Sequence, residues 1–271
     1  MTALAQRSRL AAIVRRDVAV LRTYQLSLYV SFVQSVVFVF SFYFIGEFVG
    51  EPDALADVEG GYFEFALLGV IVTTVIALGL GEFADNISAE QEEGTLEAVL
   101  VTPTPLWTLL VGGASVSALL AGVEILLLVG LGFGVLGTAP SAAAMLWSLP
   151  LLALTFVCFA AIGIAAAAVI VVVKRGDPLA GPVSQLTGLV SGAYFPVTVL
   201  PGWLQPLSEL VPATHGLRGI RELTLAGAGP SAIVDDLVIL GVMAAVLVPL
   251  GLWAFGRAVA AARRAGTLGA Y

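Results

Sequence analysis

Polar and apolar positions separate into blocks along this chain, and six of the apolar blocks reach the length of a membrane crossing. Tyr24–Gly46 carries no charge, and Tyr62–Gly81 carries only Glu64, near its start. Two longer runs follow, within Leu106–Leu136 and Met145–Val173, and then Leu179–Leu200, which is interrupted by Pro182, Gly188, Gly192 and Pro196. The last, Leu237–Phe255, holds Pro249. About 20 apolar residues wound as a helix cross the hydrocarbon of a bilayer. Proline and glycine are tolerated in such helices because neighbouring helices satisfy the freed backbone groups. The pattern predicts an all-α polytopic membrane protein with six transmembrane helices.

The polar remainder fills in the ends. From Leu10 to Arg22, Leu10, Ile13, Val14, Val18, Val20 and Leu21 share one helical arc, and Arg9, Arg15, Arg16 and Arg22 the other, with Asp17 as an exception. A basic amphipathic helix of this kind lies in the membrane interface, although the same charges also serve as a plain topology anchor. The first spanning run starts too late and is too long for a signal peptide. Glu47–Gly61 has five acids and no base, as a solvated connector would. No internal repeat and no linker divides the chain, so 1–271 is one transmembrane domain.

Composition agrees: 59% of residues are hydrophobic, 11% are charged and the mean hydropathy is +1.02. A soluble domain carries about 25% charged residues. Of the 12 Lys and Arg, only Arg218 and Arg221 fall outside if both termini are cytoplasmic. That is the orientation the positive-inside rule demands. Eleven arginines against one lysine, with a pI near 4.7, suit a prokaryote with a GC-rich genome, and hence its plasma membrane.

Much chemistry is excluded. His215 is the sole histidine and Lys174 the sole lysine, so neither a two-histidine zinc motif nor a glycine-rich phosphate loop ending in lysine exists. No G-x-S-x-G elbow is present. Cys158 is alone and suits a packing role. No catalytic residue, metal site or nucleic-acid partner is expected, and the chain cannot hydrolyse ATP by the usual phosphate-loop means.

Three features could carry function. The first is SAEQEEGTLEAVLVTPTPLW, residues 88–107, acidic and cytoplasmic between the second and third spans. Ser88 and Gln91 form a capping-box pattern with Glu90 near the helix start. After the break at Gly94, Thr95 is placed to cap a second short helix with Glu97 in its first turn and Leu96, Val99 and Leu100 as an apolar face. Pro103 ends it, and Pro105 begins the next helix. Acids beside exposed apolar residues suit a docking surface, while acidic runs in general are solvated faces. The second is Leu200–Leu237, too apolar for a free loop and too broken for a span, with Trp203 as an interfacial anchor. Here Arg218 and Glu222, four apart, are placed to pair, and His215 suits structural hydrogen bonding better than proton sensing. The third is Glu124, mid-span, where a charge costs roughly 2.5–3.5 kcal/mol. It is either a contact in a transport pathway or a protonated glutamate bonded between helices.

EEGTLEAVLVTPTPLWTLLVGG closely resembles the loop after the second span in permeases of the type-2 ABC exporter class. The matching positions are Glu92, Glu93, Gly94, Thr95, Leu96, Glu97, Leu100, Thr102 and Pro103, with Glu90 just before them. SGAYFPVTVLPGWLQPLSELVPATHGLRGIREL resembles that class again, through Tyr194, Phe195, Pro196, Leu200, Pro201, Trp203, Pro212, Thr214 and His215. With the six-span layout, the resemblance covers essentially the whole chain. It implies an ATP-driven exporter permease that works as a homodimer or heterodimer in the lipid bilayer. It implies an ABC ATPase partner, which binds ATP and Mg, seated against the Gly94–Pro103 coupling loop. The second segment would be re-entrant and cap the pathway from outside. A secondary transporter or channel using Glu124 is the alternative, and a membrane scaffold would leave the coupling pattern unexplained.

Overall fold

The computed structural model describes residues 25–49, 61–92, 106–136, 140–173 and 180–264, and among these there is no strand. The helices are α1 (Gln25–Val49), α2 (Tyr62–Glu92), α3 (Leu106–Leu131), α4 (Ala142–Val173), α5 (Ala180–Val190), α6 (Gln205–Ser208), α7 (Pro212–Thr224) and α8 (Val234–Arg264). A π-helical turn, Gly132–Leu136, extends α3, and a 3-10 turn, Val197–Val199, lies between α5 and α6. The amphipathic pattern before Tyr24 and the acidic connector from Gly50 to Gly60 lie outside the described residues.

Among the described residues, four helices are long and apolar enough to cross a membrane, over Tyr62–Ser88, Ser117–Gly134, Ala142–Val171 and Val234–Ala262. In α1 the described apolar stretch is Phe32–Phe48. Within the expected fifth span, Leu179–Leu200, the described helix α5 has 11 residues, rises about 16 Å and ends at Val190. The reason is local. The Ala193 N–H bonds the Gly188 carbonyl and the Gly192 N–H bonds the Leu189 carbonyl, with Gly192 at φ +81°. This is the glycine-terminated helix end that an L side chain would strain. The break expected within a helix is the end of one.

α2 and α4 form the centre. α8 and α2 pack on α4, α7 packs on α4, α8 and α2, and α1, α3 and α5 lie against α2. Gly163 of α4 sits so close to α2 that a Cβ there would collide with the Gly79 carbonyl oxygen, so small residues set the approach of the two helices. Leu67, Val72 and Ile76 of α2 meet Leu151 and Phe159 of α4, Leu217 and Leu223 of α7, and Leu240 of α8 in one buried cluster. Burial differs sharply between spans: 67% of the α2 span is buried within the chain, but only 17% of the α8 span. The exposed Val238, Val242, Val246, Leu250 and Trp253 of α8 suit hydrocarbon as solvent, which no soluble surface of that size would. Cys158 is buried in α4, its thiol 3.7 Å from the Leu240 carbonyl.

Candidate functional site

The acidic stretch begins as the tail of α2. Ser88 was expected to start a helix, and instead it lies inside one, because no glycine or proline follows Gly81 until Gly94 and the helix simply continues to Glu92. Asn86 reinforces that tail by donating to the Glu82 carbonyl at 2.8 Å and to its carboxylate at 3.0 Å. α2 therefore has 31 residues and measures about 46 Å against about 30 Å of hydrocarbon. Glu90 and Glu92 belong to its last turns. Glu93, Gly94, Thr95, Leu96, Glu97, Leu100, Thr102 and Pro103 lie outside the described residues.

The second segment condenses around α7. Pro212, at the first position of that helix, is buried, and its missing N–H costs nothing there. The Thr214 hydroxyl donates to the Ser208 carbonyl at 2.6 Å, tying α7 back to α6. Tyr194 stacks on Phe42 of α1, ring centroids 6.0 Å apart, with Phe195, Pro196 and Leu200 half-buried beside it. Pro201 is exposed, and Trp203 is 72% exposed, free to meet a membrane interface.

Beneath this lies an ionic cluster. His215 Nε2 is 2.9 Å from the Glu209 carbonyl, so it carries a hydrogen and donates. His215 Nδ1 stands 2.8 Å from Arg218 Nη2 and 3.3 Å from Asp236 Oδ1. A neutral ring accepts from Arg218; a protonated ring donates to Asp236 and must part from Arg218. The Asp236 bond raises the His215 pKa above its ordinary value, against burial and the Arg218 charge, which lower it. Arg218 binds Asp236 at 2.6 Å and Glu209 at 3.3 Å. The expected Arg218–Glu222 pair is thus replaced: buried Asp236, from the start of α8, offers the guanidinium a partner away from solvent, where a helix-surface pair is worth little.

Arg221, one turn on, is unlike the others. Its Nη1 donates to the Gly192 carbonyl at 2.9 Å, and its Nη2 to the Phe65 and Ala193 carbonyls at 3.1 and 2.9 Å. The guanidinium carbon lies 3.4 Å from the Phe65 ring centroid. These bonds use the carbonyls freed where α5 ends and so fasten α2, α5 and α7 together. Burial pulls its pKa down to about 9, which leaves it charged at neutral pH.

Glu124 occupies a different setting. Ser35 of α1 donates its hydroxyl to the carboxylate at 2.6 Å. Both line a cavity of about 300 Å3 with Gln34, Phe38, Val70 and Leu128. The contact joins α1 to α3, and the cavity lies among α1, α2 and α3.

The family described as ABC-2 type transporter matches residues 8–225, four-fifths of the chain. The chain belongs to that family. It is also similar to Nodulation protein J of Sinorhizobium fredii, at 30% identity over 210 residues, covering 73% of this chain and 74% of the relative. It is accordingly a multi-pass membrane permease, a transporter component of the ABC-2 class. The matched range contains both the acidic stretch and the α5–α7 segment.

Some of this ABC-2 member's polar architecture was hidden from sequence reasoning. Arg221 read only as an outer base, and Asp236, just before the last apolar run, was not singled out. Ser35 had no signal beyond a hydroxyl within an apolar run. Among the described residues, no group of three or more His, Cys, Asp or Glu could hold a metal ion.

Proposed function

We propose that this chain is the membrane half of an ATP-driven exporter. It pairs with a second permease chain, identical or not, and with an ABC ATPase that carries the ATP and Mg. Six crossings place both termini in the cytoplasm of a prokaryotic cell, with the α5–α8 connection entering the outer leaflet as a re-entrant cap. The observation that carries the proposal is the position of the Gly-Thr-Leu-Glu…Thr-Pro motif, immediately beyond a helix longer than the bilayer requires. A stiff α2 is a lever: displacement of the Gly94–Pro103 loop by a closing ATPase reaches α4 and α7 through the packed core. ATP then acts by closing the ATPase pair, which in that form binds one state of the permease pair better than the other.

Co-purification with an ABC ATPase encoded beside this chain tests the proposal. A stable complex is expected, with ATP turnover uncoupled from transport when Gly94–Pro103 is replaced. Failure of any ATPase to bind would remove the exporter reading. A gradient-driven transporter is the second reading, favoured by the polar cavity at Glu124. It requires transport to follow an ion gradient without ATP and to stop in Glu124→Gln.

A further inference from the structure

A second, larger cavity lies at the end of the bundle that carries α6 and α7. It measures about 740 Å3 and opens to the surface, within the range of small-molecule sites. Phe65, Val197, Leu217 and Leu225 contribute apolar wall; Glu209, Arg218, Arg221 and Glu222 also line it. What matters is which of these charges is still uncommitted. Arg218 is held by Asp236 and Glu209. Arg221 spends both terminal nitrogens on backbone carbonyls, and its unpartnered Nε is sealed from solvent, beyond reach of a ligand. Glu222 is partly buried, and its carboxylate has no hydrogen-bond or ion-pair partner among the described residues. Two arginines face three carboxylates once Asp236 is included, so with neutral His215 the surroundings carry one net negative charge.

Partly burying a carboxylate with no partner is unfavourable. Burial and the Asp236 charge both raise the Glu222 pKa, and they outweigh Arg218, which lowers it. What the cavity keeps for a ligand is a carboxylate without a partner, beside two guanidinium groups that are already held. An anion would meet spent donors and a free carboxylate. A cation with an apolar body would meet the reverse.

We propose that this cavity is a binding site for an amphipathic organic cation, with Glu222 as its counter-charge and the Phe65–Val197–Leu217–Leu225 wall as its apolar bed. The site goes beyond the exporter proposal and does not depend on it, since it belongs to the chain without an ATPase.

The probe is tetraphenylphosphonium, titrated by equilibrium dialysis against the purified full chain in detergent. Tetraphenylborate, of the same shape and opposite charge, is the control. Saturable binding of the cation at one per chain is expected, with no saturable binding of the anion. Glu222→Gln is expected to weaken the cation at least tenfold, and Glu47→Gln, at an exposed position of α1 away from the cavity, to leave it unchanged. Equal binding by Glu222→Gln, loss in a folded Glu47→Gln, or equal binding of the borate would each overturn the site. Should Glu222→Gln not fold, Ala226→Trp reads the same question. Ala226 is exposed and lines the cavity, so the indole should occlude the site. A folded Ala226→Trp that binds like wild type would also overturn it.

Discussion

Arg221 and Glu124 are both charged residues in an apolar chain, and their surroundings differ in kind. Arg221 is over-determined: three carbonyls from two other segments and an aromatic face hold one guanidinium. Glu124 shares one short bond with Ser35 and otherwise borders open space. A group held from four sides fixes backbone; a group held from one side and facing a cavity keeps capacity for a ligand or a proton. The contrast assigns Arg221 to architecture and makes Glu124, bonded between α1 and α3 at the edge of a cavity, the residue to test.

Substitutions can break that contrast, the strongest first. Arg221→Met leaves the buried Gly192 and Ala193 carbonyls without their donor, at roughly 1–3 kcal/mol each, partly offset by removing a buried charge, while the Phe65 carbonyl keeps its place in the helix. A net loss of about 3 kcal/mol or failure to fold is expected in detergent melting curves, and a wild-type melting temperature would reverse the assignment. Asp236→Asn weakens the clamp on Arg218 but leaves an amide to accept, so a smaller loss of about 2 kcal/mol is expected. In Glu124→Gln the Ser35 hydroxyl keeps an acceptor, and stability should move by under about 1 kcal/mol. Transport should change far more than stability if Glu124 touches the cargo, so transport in vesicles separates the two roles.

The smallest effect is with pH. Because Asp236 raises His215 above its ordinary value, the stabilisation is full below the unfolded-state pKa, about 6.5. It is lost as pH rises through the folded-state pKa. Melting temperature should therefore decline from pH 6 to pH 8, by on the order of 2 °C, and Arg218, held above its ordinary value, and Asp236, held below its own, keep their charges throughout. His215→Gln should flatten that decline; an unchanged slope would move its origin to another group.

The membrane class needed only the linear pattern. Long uncharged runs in α2, α3, α4 and α8 have few ways to satisfy their backbone except as helices in lipid. The two motifs likewise lay in contiguous residues, and the family could be named from them. The errors arose where neighbours in space compete with neighbours in sequence. Ser88 has the local signature of a helix start, but cooperativity carried α2 through it. Arg218 had Glu222 within reach on its own helix, yet the buried Asp236 of α8 took it.

The sequence by itself determined that this chain enters a membrane, that its long apolar runs are helical and which family it joins, because hydropathy and short motifs are local properties. Only the tertiary structure decided which charges are spent and which are free. Glu222 looks like any other acid in the linear text, and Glu124 stands out there by its mid-span position but not by its partner. Their standing depends on what α1, α2, α6, α7 and α8 bring within 3 or 4 Å. An electrostatic partner is a matter of distance in space, which the spacing along a chain does not encode.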